Sequence, residues 1–151
     1  MLRKKGVETV LIDTNVWVSA FINPSGYPAK VLELWLQNKI RIVVAPLLLE
    51  EIADVLKRQR LQKKYGYKNS EIEKYLTLIA TGAKMVIVSG SINLCRDSKD
   101  NHILEAAIKG RVKYLITRDD DIKGDSELVV QLAKQNVTVI TVSNFLKLHV
   151  N

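Results

Sequence analysis

The chain has 151 residues, 47% of them hydrophobic, a formal net charge of +7 and one cysteine, Cys95. This length favours one domain over residues 1–151, and a single cysteine excludes an intrachain disulfide, which fits a reducing compartment. No apolar run approaches the roughly 20 residues that span a membrane, so we expect a soluble cytoplasmic protein. The basic surplus favours a polyanionic partner such as nucleic acid, although a basic protein without such a partner would carry it too.

Five short runs rich in Val, Ile and Leu predict β-strands, at residues 9–13, 41–45, 84–88, 113–117 and 137–142. None of these runs alternates cleanly between apolar and polar residues, which is typical of strands buried on both faces of a parallel sheet. Helical patterns lie between the runs. The alternation of strand and helix predicts right-handed crossovers and a three-layer α/β sandwich.

Prolines and capping residues predict where the helices begin, since both are favoured in the first turn. The predicted starts, in chain order, are Pro28, Pro46, Ser70 with Glu73 as a capping box, Asp97 or Asp100, Asp125 or Ser126, and Ser143. Gly110 is the predicted end of the helix that contains Leu104.

Acidic residues recur where the predicted strands end. They are Asp13, Glu50, Glu51, Asp97, Asp100, Asp119, Asp120 and Asp121. Because the carboxyl ends of parallel strands meet at one edge of a sheet, where open α/β folds bind ligands, we expect these acids to lie close together. Singly, Asp97 is equally well explained as a helix cap and Glu50 as a solvated helix residue.

Carboxylates gathered at one edge repel each other, and a divalent cation offsets that repulsion. Magnesium and manganese prefer hard oxygen ligands, which favours either over zinc. The two histidines, His102 and His149, are far apart in sequence, and Cys95 has no cysteine partner, so no zinc set is evident. Carboxylates with a metal ion in a basic protein indicate phosphodiester chemistry.

A basic run without acids is the predicted path of the polyanion; its cations are Lys57, Arg58, Arg60, Lys63, Lys64 and Lys68. Tyr65 and Tyr67 interleave with these cations and are candidates for stacking on unpaired bases. The alternative explanation is a solvated helix end whose cations complement the helix dipole.

Four motifs of this chain, in order and spacing, resemble the motif blocks of PIN domains. They are Asp13-Thr-Asn15, the Leu49-Glu-Glu-Ile52 helix, Asp100 followed by Ile103-Leu104 and Ala106-Ala107, and Thr117-Arg-Asp119. The resemblance extends over nearly the whole chain and is greatest to prokaryotic toxin components of toxin–antitoxin pairs. It implies a five-stranded parallel sheet in the order 3-2-1-4-5, a ribonuclease that uses Mg²⁺ or Mn²⁺, an antitoxin partner and a homodimer.

Carried over position by position, the resemblance assigns the catalytic acids as Asp13, Glu51, Asp100 and Asp119. It assigns metal ligation to Asp13, Asp100 and Asp119, with Asp97 and Asp121 as accessory acids. It gives Asn15 and Thr117 the task of holding carboxylates by hydrogen bonds. The candidate RNA contacts are Arg58, Lys63, Lys64 and Arg118.

Three other functions are weighed against a ribonuclease. A phosphatase of the haloacid dehalogenase type needs a second aspartate two residues after Asp13, where this chain has Asn15. A dinucleotide-binding oxidoreductase needs a glycine-rich turn after the first strand, and this chain has none there. A non-catalytic RNA-binding module has no reason to gather carboxylates at one edge.

Overall fold

The computed structural model describes residues 7–118 and 126–149. Its helices and strands, in chain order, are β1 (Glu8–Ile12), α1 (Thr14–Ile22), α2 (Tyr27–Leu36), β2 (Ile40–Val44), α3 (Pro46–Leu56), α4 (Gln59–Tyr65), α5 (Asn69–Gly82), β3 (Lys84–Met85), α6 (Ser98–Gly110), β4 (Tyr114–Thr117), α7 (Ser126–Lys134), β5 (Thr138–Thr141) and α8 (Val142–Leu148). No helix in these two ranges is both long and apolar enough to cross a lipid bilayer.

The strands form one parallel sheet in the order β3-β2-β1-β4-β5, which confirms the predicted three-layer fold and strand order. The central strand β1 pairs with β2 and β4, so that Val10 lies between Ile42 and Tyr114. β3 and β5 pair with β2 and β4 at the two sides of the sheet. All five strands therefore end at the same edge, and the residue after β1 is Asp13.

Successive residues of β1 point into different cores, as the pleat of a strand requires. Val10 and Ile12 join the core formed with α1, α2, α3, α5 and α8. Leu11 joins the core formed with α6 and α7 on the other face. Continuous apolar runs, rather than alternating ones, are what burial on both faces demands. Gly110 lets α6 approach the sheet, because a Cβ there would lie 2.8 Å from Cγ1 of Val43.

Several predicted boundaries were wrong. The third strand ends at Met85 instead of residue 88, because its partner β2 ends at Val44, whose carbonyl accepts the N–H of Val86 at 2.8 Å. The capping box uses Glu71, whose carboxylate accepts the N–H of Lys68, instead of Ser70 with Glu73. The last helix begins at Val142, capped by Thr141, instead of at Ser143.

Candidate active site

Asp13 lies at the junction of β1 and α1, where the polypeptide leaves the sheet. Its backbone N–H donates to the carbonyl of Ile116 at 3.0 Å, which fixes the junction to β4. The Thr117 hydroxyl lies 3.4 Å from Oδ2 of Asp13 and 3.3 Å from the carbonyl of Arg118, so the two acceptors share its one hydrogen. Asp13 is the N-terminal boundary residue of α1, but its side chain does not cap the helix. The carboxylate therefore lies at the sheet edge, in contact with Thr117 of β4.

Glu51 lies in α3 and reaches the neighbouring helix through Thr14, the residue after Asp13. The Thr14 hydroxyl donates to Oε2 of Glu51 at 2.9 Å, and Thr14 itself is buried. The ammonium of Lys99 lies 3.6 Å from the same oxygen, with 26% of the Glu51 side chain exposed. Glu50, in contrast, is exposed on the same helix. Of the two adjacent glutamates, Glu51 is the one in contact with the residue that follows Asp13.

The start of α6 contributes two further acids. Oδ1 of Asp97 accepts the N–H of Lys99 at 2.9 Å, so Asp97 caps α6. Asp97 is exposed, whereas Asp100 is buried with 9% of its surface accessible. Because Lys99 also contacts Glu51, the start of α6 is tied to α3. The contacts thus run from Asp13 through α1 and α3 to α6.

Two buried polar residues of α6 were missed in the sequence, and both hold the segment between β3 and α6. The Asn101 side chain accepts the N–H of Cys95 at 2.7 Å and donates to its carbonyl at 2.9 Å. Glu105 is 1% exposed, and its Oε1 accepts the N–H groups of Gly90 at 3.0 Å and Ser91 at 3.2 Å. The signal that was overlooked is an acid inside the otherwise apolar run 103–108.

Oε2 of Glu105 receives the remaining bonds: the N–H of Ser89 at 2.6 Å, its hydroxyl at 3.0 Å and the ammonium of Lys109 at 2.8 Å. Burial by itself raises the pKa of this carboxyl. The bonds from Lys109, Ser89 and Gly90 outweigh burial and lower the pKa to about 2. Glu105 is thus an ionised anchor for the segment that leads to Asp97 and Asp100.

A cleft of about 490 Å³ lies beside α1, and none of the described acids is among its lining residues. It is lined by Asn15, Val18, Ser19, Ile22, Asn23, Tyr27, Pro28, Leu61, Tyr65, Arg118, Val142 and Ser143. Arg118 donates to the hydroxyl of Ser19 at 3.3 Å. Tyr65 is 46% exposed and belongs to α4, the helix of the basic run. The cleft therefore joins the residues next to Asp13 to a basic helix.

Tyr67, the second proposed stacking residue, was a wrong prediction. Its ring is 8% exposed, and its hydroxyl donates to the carbonyl of Leu56 at 2.7 Å. The ring packs edge-on against Phe21 at 5.0 Å between centroids. Tyr67 therefore belongs to the core and has no face available to a base.

The donor set suits a hard divalent cation in kind, since the acids Asp13, Glu51 and Asp100 offer only oxygen. Within residues 7–118 and 126–149, no group of three or more His, Cys, Asp or Glu side chains lies close enough to hold an ion. The predicted ligands Asp119 and Asp121 lie outside the described residues.

Comparisons with known proteins agree with this architecture. The family profile of the PIN domain matches residues 9–121. The uncharacterized protein MJ1680 of Methanocaldococcus jannaschii is 36% identical over 113 residues, which are 75% of this chain and 72% of that protein. The crystal structure of VapBC2 from Rickettsia felis, bound to a DNA fragment from their promoter, contains a chain with the same fold. The TM-score is 0.55 at 18% identity, over 88% of this chain and 98% of that one.

Proposed function

The chain belongs to the PIN domain family, and from this premise we propose that it is an endoribonuclease dependent on Mg²⁺ or Mn²⁺. PIN domains are generally nucleases. The observation that carries the proposal is the line of contacts at the sheet edge, where Thr117 meets Asp13 and Thr14 meets Glu51. The neighbouring cleft is lined by Asn15, two residues after Asp13, and by Arg118, the residue after Thr117, so an RNA strand bound there would pass close to these contacts.

We assign the metal ligands to Asp13, Asp100 and Asp119, with Asp97 and Asp121 as accessory acids. A bound divalent ion would lower the pKa of a water and stabilise the negative charge that develops on the phosphodiester. Hydrogen bonds to carboxylates fix their orientation, and such partners affect metal affinity strongly.

The chain's own residues carry the remaining tasks. Thr117 orients the Asp13 carboxylate, while Thr14 and Lys99 orient Glu51. We assign Glu51, held in this way, the task of accepting a proton or holding the attacking water. Asn15 lines the cleft beside Asp13 and is suited to contact the substrate or a carboxylate there.

The cleft and α4 are the proposed path of the RNA. Arg58, Lys63 and Lys64 are exposed, and Tyr65 between α4 and the cleft offers a face for an unpaired base. The ammonium of Lys64 lies 5.3 Å from the centre of the Tyr65 ring, so a phosphate and a base have adjacent partners. Lys57 is already paired with Glu73 at 3.4 Å and contributes less.

A toxin role in the cytoplasm, with an antitoxin partner and a homodimer, completes the proposal. The similarity in fold to a chain of the VapBC2 complex supports it. Co-expression with the product of a short upstream reading frame is the direct test. Growth arrest by this chain alone, relieved by that product, would support the toxin role, whereas growth without arrest would contradict it.

The enzymatic proposal is tested with labelled RNA, with and without Mg²⁺ or Mn²⁺. We expect internal cleavage only with the ion, and none by the Asp13→Asn variant. Cleavage that persists in a chelator, or equal cleavage by the variant, would refute the assignment. Binding of RNA without cleavage under every condition would instead favour a non-catalytic RNA-binding module.

A further inference from the structure

The edge of the sheet opposite the candidate site is basic. Exposed cations lie where the chain enters three strands: Lys39 and Arg41 at β2, Lys84 at β3, and Arg111 and Lys113 before β4. We call these five residues the strand-start edge. The described strand starts contribute one acid, Glu8, which already contacts Lys113 and His149 at 3.5 Å each. The positive charge of this edge is therefore largely uncompensated.

The strand-start edge is concave and continuous. One groove of about 290 Å³ includes Thr9, Arg41, Lys84 and Gly110 in its lining. A second groove of about 350 Å³ includes Arg111, Lys113, Gln135 and Asn136. The two grooves adjoin, because Gly110 and Arg111 are consecutive and the N–H of Lys113 donates to the carbonyl of Thr9 at 2.8 Å. A linear polyanion could follow both grooves.

Arg111 has a backbone conformation that is unfavourable for any residue with a Cβ. It follows the last residue of α6 with φ of 52°, in the left-handed region where helices commonly place glycine. A side chain with a Cβ is strained there, and strain of this kind is a reason to look for function. A cation at a helix end also complements the dipole; the last turn of α6 contains a second one, Lys109, whose ammonium pairs with Glu105 at 2.8 Å. The guanidinium of Arg111 therefore lies at a position where glycine would be easier to accommodate.

The grooves differ in chemistry from the cleft beside Asp13. Trp35, the aromatic residue in their described linings, is 7% exposed and buried in the core. The cleft, in contrast, is lined by Tyr27 and Tyr65, which are 65% and 46% exposed. Base stacking requires an accessible ring, whereas phosphate contacts require cations and amide groups. The strand-start edge therefore suits a nucleic-acid backbone and not unpaired bases.

We propose that the strand-start edge binds the phosphate backbone of a folded RNA, as a second contact for the substrate cleaved at the opposite edge. This inference rests on the proposed ribonuclease function. The strands separate the two edges by about 16 Å, at roughly 3.3 Å per residue. An RNA that contacts both edges must therefore extend beyond the few nucleotides in the cleft.

The test compares two double variants that remove the same charge. Lys84→Gln with Arg111→Asn takes one cation from each groove, and asparagine tolerates the left-handed conformation. The control, Lys74→Gln with Lys147→Gln, removes exposed lysines from α5 and α8. Binding is measured by fluorescence anisotropy in a salt series, without divalent ions, for a long-stemmed hairpin RNA and for an oligonucleotide that copies its loop.

For the hairpin, the edge variant should reduce the slope of log Kd against log salt concentration by about 1.5 relative to the control, since each phosphate contact contributes about 0.7–0.9. Binding of the loop oligonucleotide, and its cleavage in a separate assay with Mg²⁺, should remain as in the control. Equal hairpin slopes would overturn the proposal, and so would an equal loss on both RNAs. Poly-glutamate serves as a probe for an acidic protein. If the edge variant binds poly-glutamate more weakly than the control but binds the hairpin equally well, the edge is instead a site for an acidic protein. If the hairpin slope changes but neither the parent protein nor any variant cleaves RNA, the strand-start edge is still an RNA contact and the proposed ribonuclease function is refuted.

Discussion

Replacing Glu105 with Gln should destabilise the fold by about 2 kcal/mol while leaving the candidate catalytic acids intact. The two oxygens of Glu105 accept bonds from Ser89, Gly90, Ser91 and Lys109. A glutamine has one acceptor oxygen and one donor nitrogen, so in either orientation the nitrogen meets at least two donors. A donor left without an acceptor costs about 1–3 kcal/mol. The lower value applies to each of the two donors, because water reaches the exposed Ser89 and Gly90, and together they cost about 2 kcal/mol.

A loss of about 2 kcal/mol corresponds to a fall in Tm of roughly 6 °C for a chain of this size. Circular dichroism melts of the parent protein and Glu105→Gln measure it. Glu71→Gln is the matched control, because Glu71 is exposed and accepts one N–H, that of Lys68 at 3.3 Å. That control should change stability by less than about 0.5 kcal/mol. Equal melting of the two variants would refute the role of Glu105 as an anchor.

The same anchor sets a dependence on pH. The pKa of Glu105 is about 2 in the folded protein, below its ordinary value of 4.5, so folding favours the ionised carboxylate. Its contribution is present above pH 4.5 and is lost as the pH falls from 4.5 towards 2. The difference in stability between the parent and Glu105→Gln should therefore shrink in this window. A difference that stays constant down to its lower end would contradict the assignment.

Three further predictions concern the proposed site. Asp13→Asn should abolish RNA cleavage and reduce the rise in Tm caused by magnesium, since stabilisation by a ligand follows its affinity for the folded state. Melts and cleavage assays test this, and a variant that is destabilised but still cleaves RNA would contradict it. Replacing Arg58, Lys63 and Lys64 by Ala should lower the salt slope of RNA binding by roughly 0.7 for each phosphate that is no longer neutralised, and an unchanged slope in anisotropy titrations would move the RNA path elsewhere. Tyr65→Ala should weaken binding of single-stranded RNA by about 1–3 kcal/mol, while Tyr65→Phe retains the ring and the affinity; equal weakening in both variants would exclude stacking.

The sheet was predictable because its signals are local. Each strand is a short apolar run, and acids such as Asp13 stand at strand ends that the parallel topology brings to one edge. α1 was missed because its residues are apolar on nearly all sides, which leaves no helical periodicity to detect. α4 was missed for the opposite reason, since none of its residues is buried.

The missed polar contacts are long-range and leave no periodic trace in the sequence. Glu105 meets Ser89 and Gly90 fifteen or sixteen positions earlier in the chain. Tyr67 sits among lysines in the sequence, yet its ring packs on Phe21 in the folded protein. Local composition predicted an exposed ring, and tertiary packing decided otherwise. The burial and the long-range partners of single polar side chains are therefore the part that the sequence could not supply.

The division of charge across the sheet has a consequence for salt dependence. At physiological ionic strength, exposed charges more than about 8 Å apart are largely screened from each other. The two edges lie about 16 Å apart at roughly 3.3 Å per residue. Cations such as Arg41 and Arg111 therefore cannot neutralise Asp13 at the opposite edge, and they act on a ligand that touches their own edge. Arg118 and the residues of α4 border the cleft itself and act on the strand within it. The salt dependence of binding should consequently reflect only the cleft cations for short RNAs. For longer folded RNAs it should reflect the cations of both edges.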